Sequence, residues 1–216
     1  MAKLYRSADP DNVLQTNGAT GANLLALLAL VEPGDHVIAE YPTYQPLYEI
    51  PRTLGADVEY WHIRREHGWN PDVTELEKLV RPDTKLICIN NASNPLGTVL
   101  DAATLKRIAE IAESVGAYVL SDEVYLPLHD TESYVSMADL YDRAIVTNSL
   151  SKTYSVPGAR NRVDGVEQGA GRPLPRVPRL HDDLRRRVQR RVGRARAAQP
   201  RQGARAQPRH RHEQPG

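Results

Sequence analysis

The sequence lacks three features that would assign it to common classes of protein. Its 216 residues contain no apolar run long enough to span a membrane and no signal-peptide pattern. They contain one cysteine, Cys88, so no disulfide can form within one chain. Cys88 lies in the apolar run 86–89, which predicts a buried small hydrophobe in a strand. We therefore expect a cytoplasmic protein without a membrane partner.

Motifs for metal ions and for two nucleotide-binding folds are also missing. His62, His67 and His129 are scattered without the spacing of a metal site. There is no Gly-Lys-Ser/Thr phosphate loop and no dinucleotide fingerprint. These absences argue against a metalloenzyme, a P-loop nucleotidase and a nicotinamide-dependent dehydrogenase.

Charge is divided unevenly along the chain. Residues 161–216 contain 15 arginines, five acidic residues and neither lysine, isoleucine nor an aromatic residue, a balance of +10. Residues 1–160 carry −9, with 13 basic and 22 acidic side chains. The sequence therefore predicts two segments of different origin, 1–160 and 161–216.

Strand-like and helix-like patterns alternate through the first segment. Strands are predicted at 36–40, 57–63, 85–90, 117–120 and 143–148, with a further strand end at 12–15. Helices are predicted where small residues open the apolar run 24–31, at 73–80, and at 101–115. In the last helix one apolar face comprises Leu105, Ile108, Ala109 and Ala112. This alternation predicts an α/β fold with a parallel sheet.

Polar and aromatic side chains follow the ends of the predicted strands. They are Tyr44, the amide loop containing Asn94, the pair Asp122 and Tyr125, and finally Lys152. Ligands bind at the carboxyl ends of strands in open α/β sheets, so these residues are candidates for one site. Taken singly, Tyr44 is as well explained by packing and Asp122 by helix capping.

Two further stretches have the character of binding loops. Residues 16–23 are small and polar and open a helix, which suits a phosphate held by backbone N–H groups, although an ordinary capped helix is the alternative. Lys152 lies among three serines, with Arg160 eight residues later. A lysine among hydroxyls near an anion site suits Schiff-base chemistry. A solvated surface loop is the alternative.

Together these motifs resemble the class I/II aminotransferases, fold-type I pyridoxal-phosphate-dependent enzymes. The resemblance covers residues 10–160 and rests on five motifs in the family's order. It implies a three-layer, mostly parallel α/β sheet of the large domain, here incomplete. It also implies pyridoxal 5'-phosphate as cofactor, an amino acid and a 2-oxo acid as substrates, and a homodimer in the intact protein.

The resemblance assigns a role to each matching residue. Lys152 is implied to be the catalytic lysine that bonds the cofactor and moves the substrate proton. Asp122 is implied to pair with the pyridine nitrogen, Asn94 and Tyr125 to bind the phenolic oxygen, and Tyr44 to stack on the ring. The phosphate site is implied to comprise Gly18, Ala19, Thr20, Ser149 and Arg160.

The sequence departs from the family at both ends. Family members carry a substantial segment before the phosphate loop, so we expect a chain truncated at its N-terminus. After Arg160 the family pattern continues with a small residue, glycine and often tryptophan, whereas here 161–168 read differently. Their codons, read one base later, permit Thr or Ile, then Gly, then Trp. We therefore expect 161–216 to be an out-of-frame tail without defined structure, and the chain to have impaired activity.

Alternative functions remain open at this stage. A lyase or decarboxylase of the same fold would share the cofactor motifs. A non-catalytic fragment with a basic arm that binds nucleic acid is the other alternative, since Arg185, Arg186 and Arg187 could contact phosphates. The absence of lysine and aromatic residues from that arm makes nucleic acid the weaker expectation.

Overall fold

The computed structural model of the chain describes Tyr5 and residues 13–126 and 135–157. Four α-helices lie in this part of the chain: α1 (Gly18–Leu30), α2 (Pro46–Thr53), α3 (Val73–Leu79) and α4 (Ala102–Val115). Five strands accompany them: β1 (His36–Tyr41), β2 (Asp57–His62), β3 (Thr84–Asn90), β4 (Tyr118–Asp122) and β5 (Ala144–Thr147). Short 3-10 turns occur at Arg65–His67 and Met137–Asp139.

The five strands form one sheet in the order β2-β1-β3-β4-β5, and every pair is parallel. The register sets the last residue of one strand beside that of the next. Asn90 is opposite Asp122, and Asp122 is opposite Thr147. The carboxyl ends of β3, β4 and β5 are therefore level, which brings the loops that follow them to the same edge.

Helices cover both faces of the sheet. Side chains of successive strand residues point to opposite faces, and the buried residues divide accordingly into two clusters. The cluster under α3 and α4 includes Ile38, Ile87, Ile89, Val119, Leu76, Leu105 and Ile108. The cluster under α1 and α2 includes Val37, Ala39, Leu86, Cys88, Leu120, Leu27 and Leu47. The architecture is three layers, as predicted.

The ends of α4 have clear local causes. Asp101 precedes the helix with an extended backbone, and its carboxylate accepts the N–H of Thr104 at 2.7 Å. This is a side-chain N-cap. Gly116 ends the helix with φ of 68°, a left-handed conformation in which glycine carries no Cβ penalty. The predicted apolar face is correct, because Leu105, Ile108, Ala109 and Ala112 are all buried.

The predicted elements of the α/β alternation are confirmed with shifts of one to two residues at their ends. The strand end predicted at 12–15 is wrong for residues 13–15, which belong to neither helix nor strand. That stretch is apolar only at Val13 and Leu14, and both are more than a third exposed, so it has no buried face that would hold it on a sheet. Cys88 is fully buried in β3, as predicted, and burial raises the pKa of its thiol.

None of the helices placed in the structure has the length and apolar character needed to cross a membrane. Likewise, within 13–126, 135–157 and Tyr5 no group of three or more histidine, cysteine or acidic side chains is arranged to hold a metal ion.

Candidate active site

The sheet geometry brings the predicted site residues to one edge. Asp122 is the last residue of β4, and Tyr125 follows it by three positions. Asn94 follows the end of β3 by four residues, and Lys152 follows the end of β5 by five. Because the three strands are parallel neighbours, these loops emerge side by side. The candidate site lies at the carboxyl edge of β3, β4 and β5.

Asp122 is the most buried ionisable group among the predicted residues, at 2% exposure. Its Oδ2 accepts a hydrogen bond of 2.7 Å from the Asn23 amide, and its Oδ1 accepts the N–H of Val124 at 3.3 Å. Burial raises the pKa of Asp122, while the hydrogen bonds from Asn23 and Val124 oppose that shift. Desolvation is the largest of these effects, so the ionised carboxylate would be stabilised by a cation placed beside it.

Asn90 links the loop that carries Asn94 to the strand that carries Asp122. Its side-chain nitrogen donates to the backbone oxygen of Asp122 at 2.8 Å. Its side-chain oxygen accepts the backbone N–H of Asn94 at 2.6 Å. The backbone N–H of Asn90 in turn donates to the buried carboxylate of Glu40 at 2.9 Å. The position of Asn94 is thus fixed by hydrogen bonds that reach back to β1.

Tyr125 and Asn94 line the same surface cavity, whose volume is about 410 Å³. The ammonium nitrogen of Lys152 lies 5.6 Å from the centroid of the Tyr125 ring, on its face. This is within the range of a cation–π interaction. The lysine predicted to be catalytic and the tyrosine predicted to act with Asn94 are therefore neighbours.

The lysine loop is held against the β4 segment by a side chain of its own. Thr153, next to Lys152, donates from its hydroxyl to the backbone oxygen of Val124 at 3.1 Å. Ser149 is 8% exposed, and its hydroxyl accepts the N–H of Ser151 at 3.3 Å. Lys152 itself is exposed. The loop is therefore anchored at both sides while its lysine reaches solvent.

The start of α1 has the features of an anion site. Gly18 opens the helix with φ of 71°, and the preceding Asn17 makes no side-chain capping bond. The first turn contains no acidic residue, so its N–H groups and the helix dipole face no negative side chain of their own helix. Thr20 in this turn makes a 3.0 Å hydrogen bond with the Tyr44 hydroxyl. The predicted phosphate loop and the predicted stacking ring are thus in contact.

Nine of the ten predicted site residues fall in the described part of the chain. Contacts connect Thr20 with Tyr44, Tyr125 with Lys152, and the Asn94 loop with Asp122. Ser149 occupies the loop after β5, and its part in phosphate binding stays a prediction. Arg160 lies outside the described residues, as does His129.

The sequence did not assign a role to Asn23, Glu40 or Asn90. Asn23 is fully buried on α1 and contacts Asp122, although 99 residues separate the two along the chain. The sequence feature that could have identified Asn23 is its polar amide at the start of an otherwise apolar run. Glu40 could have been identified in a similar way, because it is an acidic residue at the end of a predicted apolar strand. Charged groups are rarely buried without a partner, so such a residue is expected to have one.

The residues of this edge fit pyridoxal phosphate. A buried carboxylate whose desolvation is unrelieved by a cation in the described part of the chain suits a protonated pyridine nitrogen. The uncapped start of α1 suits a phosphate. An exposed lysine beside Tyr125 suits a bond to an aldehyde carbon. The three groups lie on neighbouring elements, since α1 contacts β4 through Asn23.

Comparison with known proteins gives the same family. Residues 1–161 match the family described as aminotransferase class I and II. The chain is 33% identical over 160 residues to an aspartate aminotransferase of Thermotoga maritima, covering 72% of this chain and 42% of that protein. It is 32% identical over 158 residues to the arginine–pyruvate transaminase of Pseudomonas aeruginosa, covering 72% of this chain and 40% of that protein.

The fold has the same relatives. A PLP-dependent aminotransferase of Streptococcus suis superposes with a TM-score of 0.71 and 57% identity, over 74% of this chain and 42% of that one. The chain spans about two fifths of the length of the curated relatives it matches. Since the family match extends over residues 1–161 and the fold agrees with solved members, this chain belongs to the class I and II aminotransferase family.

Proposed function

We propose that this chain carries the cofactor-binding edge of a pyridoxal-phosphate-dependent aminotransferase, which transfers an amino group from an amino acid to a 2-oxo acid. The observation that carries the proposal is the meeting of Asp122, Asn94, Tyr125 and Lys152 at the carboxyl edge of three parallel strands. Each has the chemical character that one part of this cofactor requires. In this proposal, residues 1–160 form one functional segment.

The buried carboxylate of Asp122 binds the ring nitrogen of the cofactor in its protonated form. A protonated ring draws electrons away from the substrate Cα, which is the chemistry that pyridoxal phosphate supplies when bound. Asn94 and Tyr125 would donate hydrogen bonds to the phenolic oxygen of the cofactor, and Tyr44 would pack on the ring face. These residues orient the ring and leave the cavity beside Tyr125 for the substrate.

Lys152 is the residue that moves the proton. Its amine is exposed on a loop fixed by Thr153 and Ser149, and it lies on the face of Tyr125. Before substrate binds, Nζ holds the cofactor. With the cofactor bound, the free amine of Lys152 would accept and hold the proton that leaves Cα of the amino acid. A residue with both tasks must be close to the ring yet free to swing, which suits a loop lysine.

The relatives favour transfer over elimination or decarboxylation. The named relatives cited above are an aspartate aminotransferase and an arginine–pyruvate transaminase. A homodimer is the expected assembly of the intact protein, following the family. The phosphate of the cofactor is expected at Gly18, Ala19 and Thr20, with Ser149 and Arg160 supplying further hydrogen bonds.

The direct test is covalent trapping. The full chain is incubated with pyridoxal phosphate, reduced with borohydride and digested, and the modified peptide is identified by mass spectrometry. We expect the label on Lys152, and its loss in Lys152→Ala. Lys106→Ala, which changes an exposed lysine on α4, is the matched control and should keep the label. Label at other lysines in proportion to their exposure would refute the site.

Activity is tested separately with pairs of amino acids and 2-oxo acids. Formation of the 2-oxo acid derived from the donor, at a rate that depends on both substrates, is expected for transfer. Release of ammonia or carbon dioxide without a 2-oxo acceptor would instead indicate a lyase or decarboxylase.

A further inference from the structure

Asn23 forms a buried polar bridge between the helix α1 and two strands of the sheet. Its side-chain nitrogen lies 2.7 Å from Oδ2 of Asp122 on β4. Its side-chain oxygen lies 2.7 Å from the hydroxyl of Thr147 on β5. Asn23 is 0% exposed, Asp122 2% and Thr147 3%, so water cannot replace any of these contacts. The bridge lies beneath the edge where the site residues meet.

The chemistry of the three groups fixes the direction of the bridge. An ionised carboxylate only accepts hydrogen bonds, so the amide must present its NH₂ group to Asp122. Its oxygen then faces Thr147, and the threonine hydroxyl must donate to it. A reversed amide would set its oxygen against a carboxylate oxygen at hydrogen-bonding distance, which is repulsive. This direction favours the ionised form of Asp122, because Asn23 offers the carboxyl group a donor and no acceptor.

Val124 also donates a hydrogen bond to Asp122, but it stabilises the ionised carboxylate less than Asn23 does. The N–H of Val124 is 3.3 Å from Oδ1, longer than the contact from Asn23. The adjacent acid, Glu123, accepts hydrogen bonds from Ser121, Ser136 and Met137. Of the hydrogen bonds that favour the charged form of Asp122, the one from Asn23 is the largest contribution.

We propose that Asn23 is a positioning residue that holds the Asp122 carboxylate ionised and aimed at the site, and that Thr147 fixes the direction of the Asn23 amide. The proposal deepens the proposed function and rests on it for the identity of the cation that Asp122 meets. Because Asn23 is fully buried and contacts Asp122, its effect on the site would pass through Asp122.

The bridge also connects Asp122 to the helix that begins with the predicted phosphate loop. Gly18, at the start of α1, belongs to the predicted phosphate loop, and Asn23 follows it by five residues. Five residues span about 7.5 Å along a helix axis. The helix α1 therefore carries both the predicted phosphate loop and the side chain that contacts Asp122.

The first test needs no cofactor. The full chain is labelled with carboxyl ¹³C-aspartate, the Asp122 resonance is assigned with Asp122→Asn, and its pH titration is followed by NMR. Asn23→Leu keeps the branched shape of the side chain but removes the donor, so Asp122 should titrate at higher pH than in the wild type. An unchanged titration in a folded Asn23→Leu protein overturns the proposal.

Two matched variants of Thr147 separate an effect of the orientation of the Asn23 amide from an effect of packing. Thr147→Val keeps the shape without the hydroxyl, whereas Thr147→Ser keeps the hydroxyl. We expect the valine variant to shift the Asp122 titration in the same direction as Asn23→Leu, and the serine variant to keep the wild-type titration. If Asn23→Leu fails to fold, this pair decides the question. Equal titrations in the two variants contradict the role of Thr147.

The second test uses the loaded protein. With ¹⁵N-labelled pyridoxal phosphate, the ring-nitrogen shift reports whether the nitrogen is protonated. We expect protonation in the wild type, a move toward the unprotonated shift in Asn23→Leu, and a dissociation constant about tenfold higher, as for loss of one charge-assisted hydrogen bond. A wild-type chain that binds no cofactor refutes the proposed function alone, because the aspartate titration still decides the role of Asn23.

Discussion

The carboxylate of Glu40 accepts the backbone N–H of Asn90 across 2.9 Å, and both residues are almost completely buried. This contact joins the end of β1 to the end of β3, from which the Asn94 loop departs. Burial raises the pKa of Glu40 to about 7, although the hydrogen bond from Asn90 opposes the shift. Glu40, with a pKa near neutrality, is therefore hydrogen-bonded to Asn90, whose side chain holds the Asn94 loop of the candidate site.

Replacing Glu40 with glutamine should flatten the pH dependence of stability. The folded protein holds a proton on Glu40 that the unfolded chain releases above pH 4.5, so stability decreases as pH rises from there to about 7. The shift corresponds to a loss of about 3 kcal/mol in the free energy of unfolding across that window. Glu40→Gln keeps an acceptor for Asn90 without the charge, so it should lack this loss.

Urea unfolding at pH 5 and pH 8, followed by the fluorescence of the buried Trp61, measures the effect. Other groups titrate in the same range, including His36, whose pKa is lowered by burial. The difference between wild type and variant isolates Glu40. Glu66→Gln, at an exposed position, is the control and should retain the wild-type slope. An equal slope in Glu40→Gln would mean that Glu40 is ionised when folded.

Sequence alone predicted the fold because its signals are local. The strand 85–90 is apolar and bounded by turn residues, and the helix 101–115 has an apolar face and is followed by Gly116. The order of Tyr44, Asn94, Asp122 and Lys152 after successive strands likewise predicted a common edge, since parallel strands end together.

The buried hydrogen bonds that hold the site residues in place could not be predicted in this way. Asn23 meets Asp122, and Glu40 meets Asn90, through contacts that exist only after α1 and the strands have packed. A side-chain hydrogen bond between residues 99 positions apart leaves no periodic pattern in the sequence. The residues with assigned roles face the site, whereas those that hold them face the interior.

Removing the cap of α4 should destabilise the fold without touching the site. Asp101→Ala loses the bond to the N–H of Thr104, at an expected cost of about 1 kcal/mol. That N–H also lowers the pKa of Asp101, so the contribution is present above the ordinary aspartate pKa and disappears on acidification through the lowered one. Chemical unfolding at pH 7 measures the cost. Asp101→Asn can still cap, and a loss as large as that of alanine would argue against capping.

The bond between Tyr44 and Thr20 should contribute to cofactor affinity. Tyr44→Phe keeps the ring for stacking but releases its 3.0 Å contact with the phosphate loop. Loss of about 1 kcal/mol would raise the dissociation constant for pyridoxal phosphate about fivefold. Fluorescence titration measures it. Tyr118→Phe, at the amino end of β4, is the control. Equal weakening in both variants would show that the effect is not specific to the site.

The reading frame of residues 161–216 can be tested in the gene. The family match ends at residue 161, where the arginine-rich composition begins. We propose that a single-base change near codon 160 opens a frame that continues with family-like residues. Sequencing independent isolates checks this. If no such change opens a longer frame, the out-of-frame origin is wrong. Binding of the full chain to labelled RNA or DNA at physiological salt would then support a basic arm.

Glu123 should be essential for holding the segment 135–137 beside the site. Its Oε1 accepts the N–H of Met137 and the hydroxyl of Ser121, both at 3.0 Å, and its Oε2 accepts the hydroxyl of Ser136 at 2.8 Å. Glu123→Ala leaves these buried donors without their acceptor, which should cost about 3 kcal/mol of stability. Glu123 directly follows Asp122, so loosening it also loosens the end of β4.

Hydrogen exchange at the Met137 amide distinguishes this clamp from a general loss of stability. In Glu123→Ala that amide should exchange much faster, while the amide of Ile87, in the centre of the sheet, should change only as far as global unfolding requires. Ser136→Ala removes one donor and keeps the carboxylate, so Met137 should stay largely protected. Equal acceleration at Met137 and Ile87 would show that Glu123 supports the whole fold rather than this segment, because a local clamp releases only the backbone that it binds.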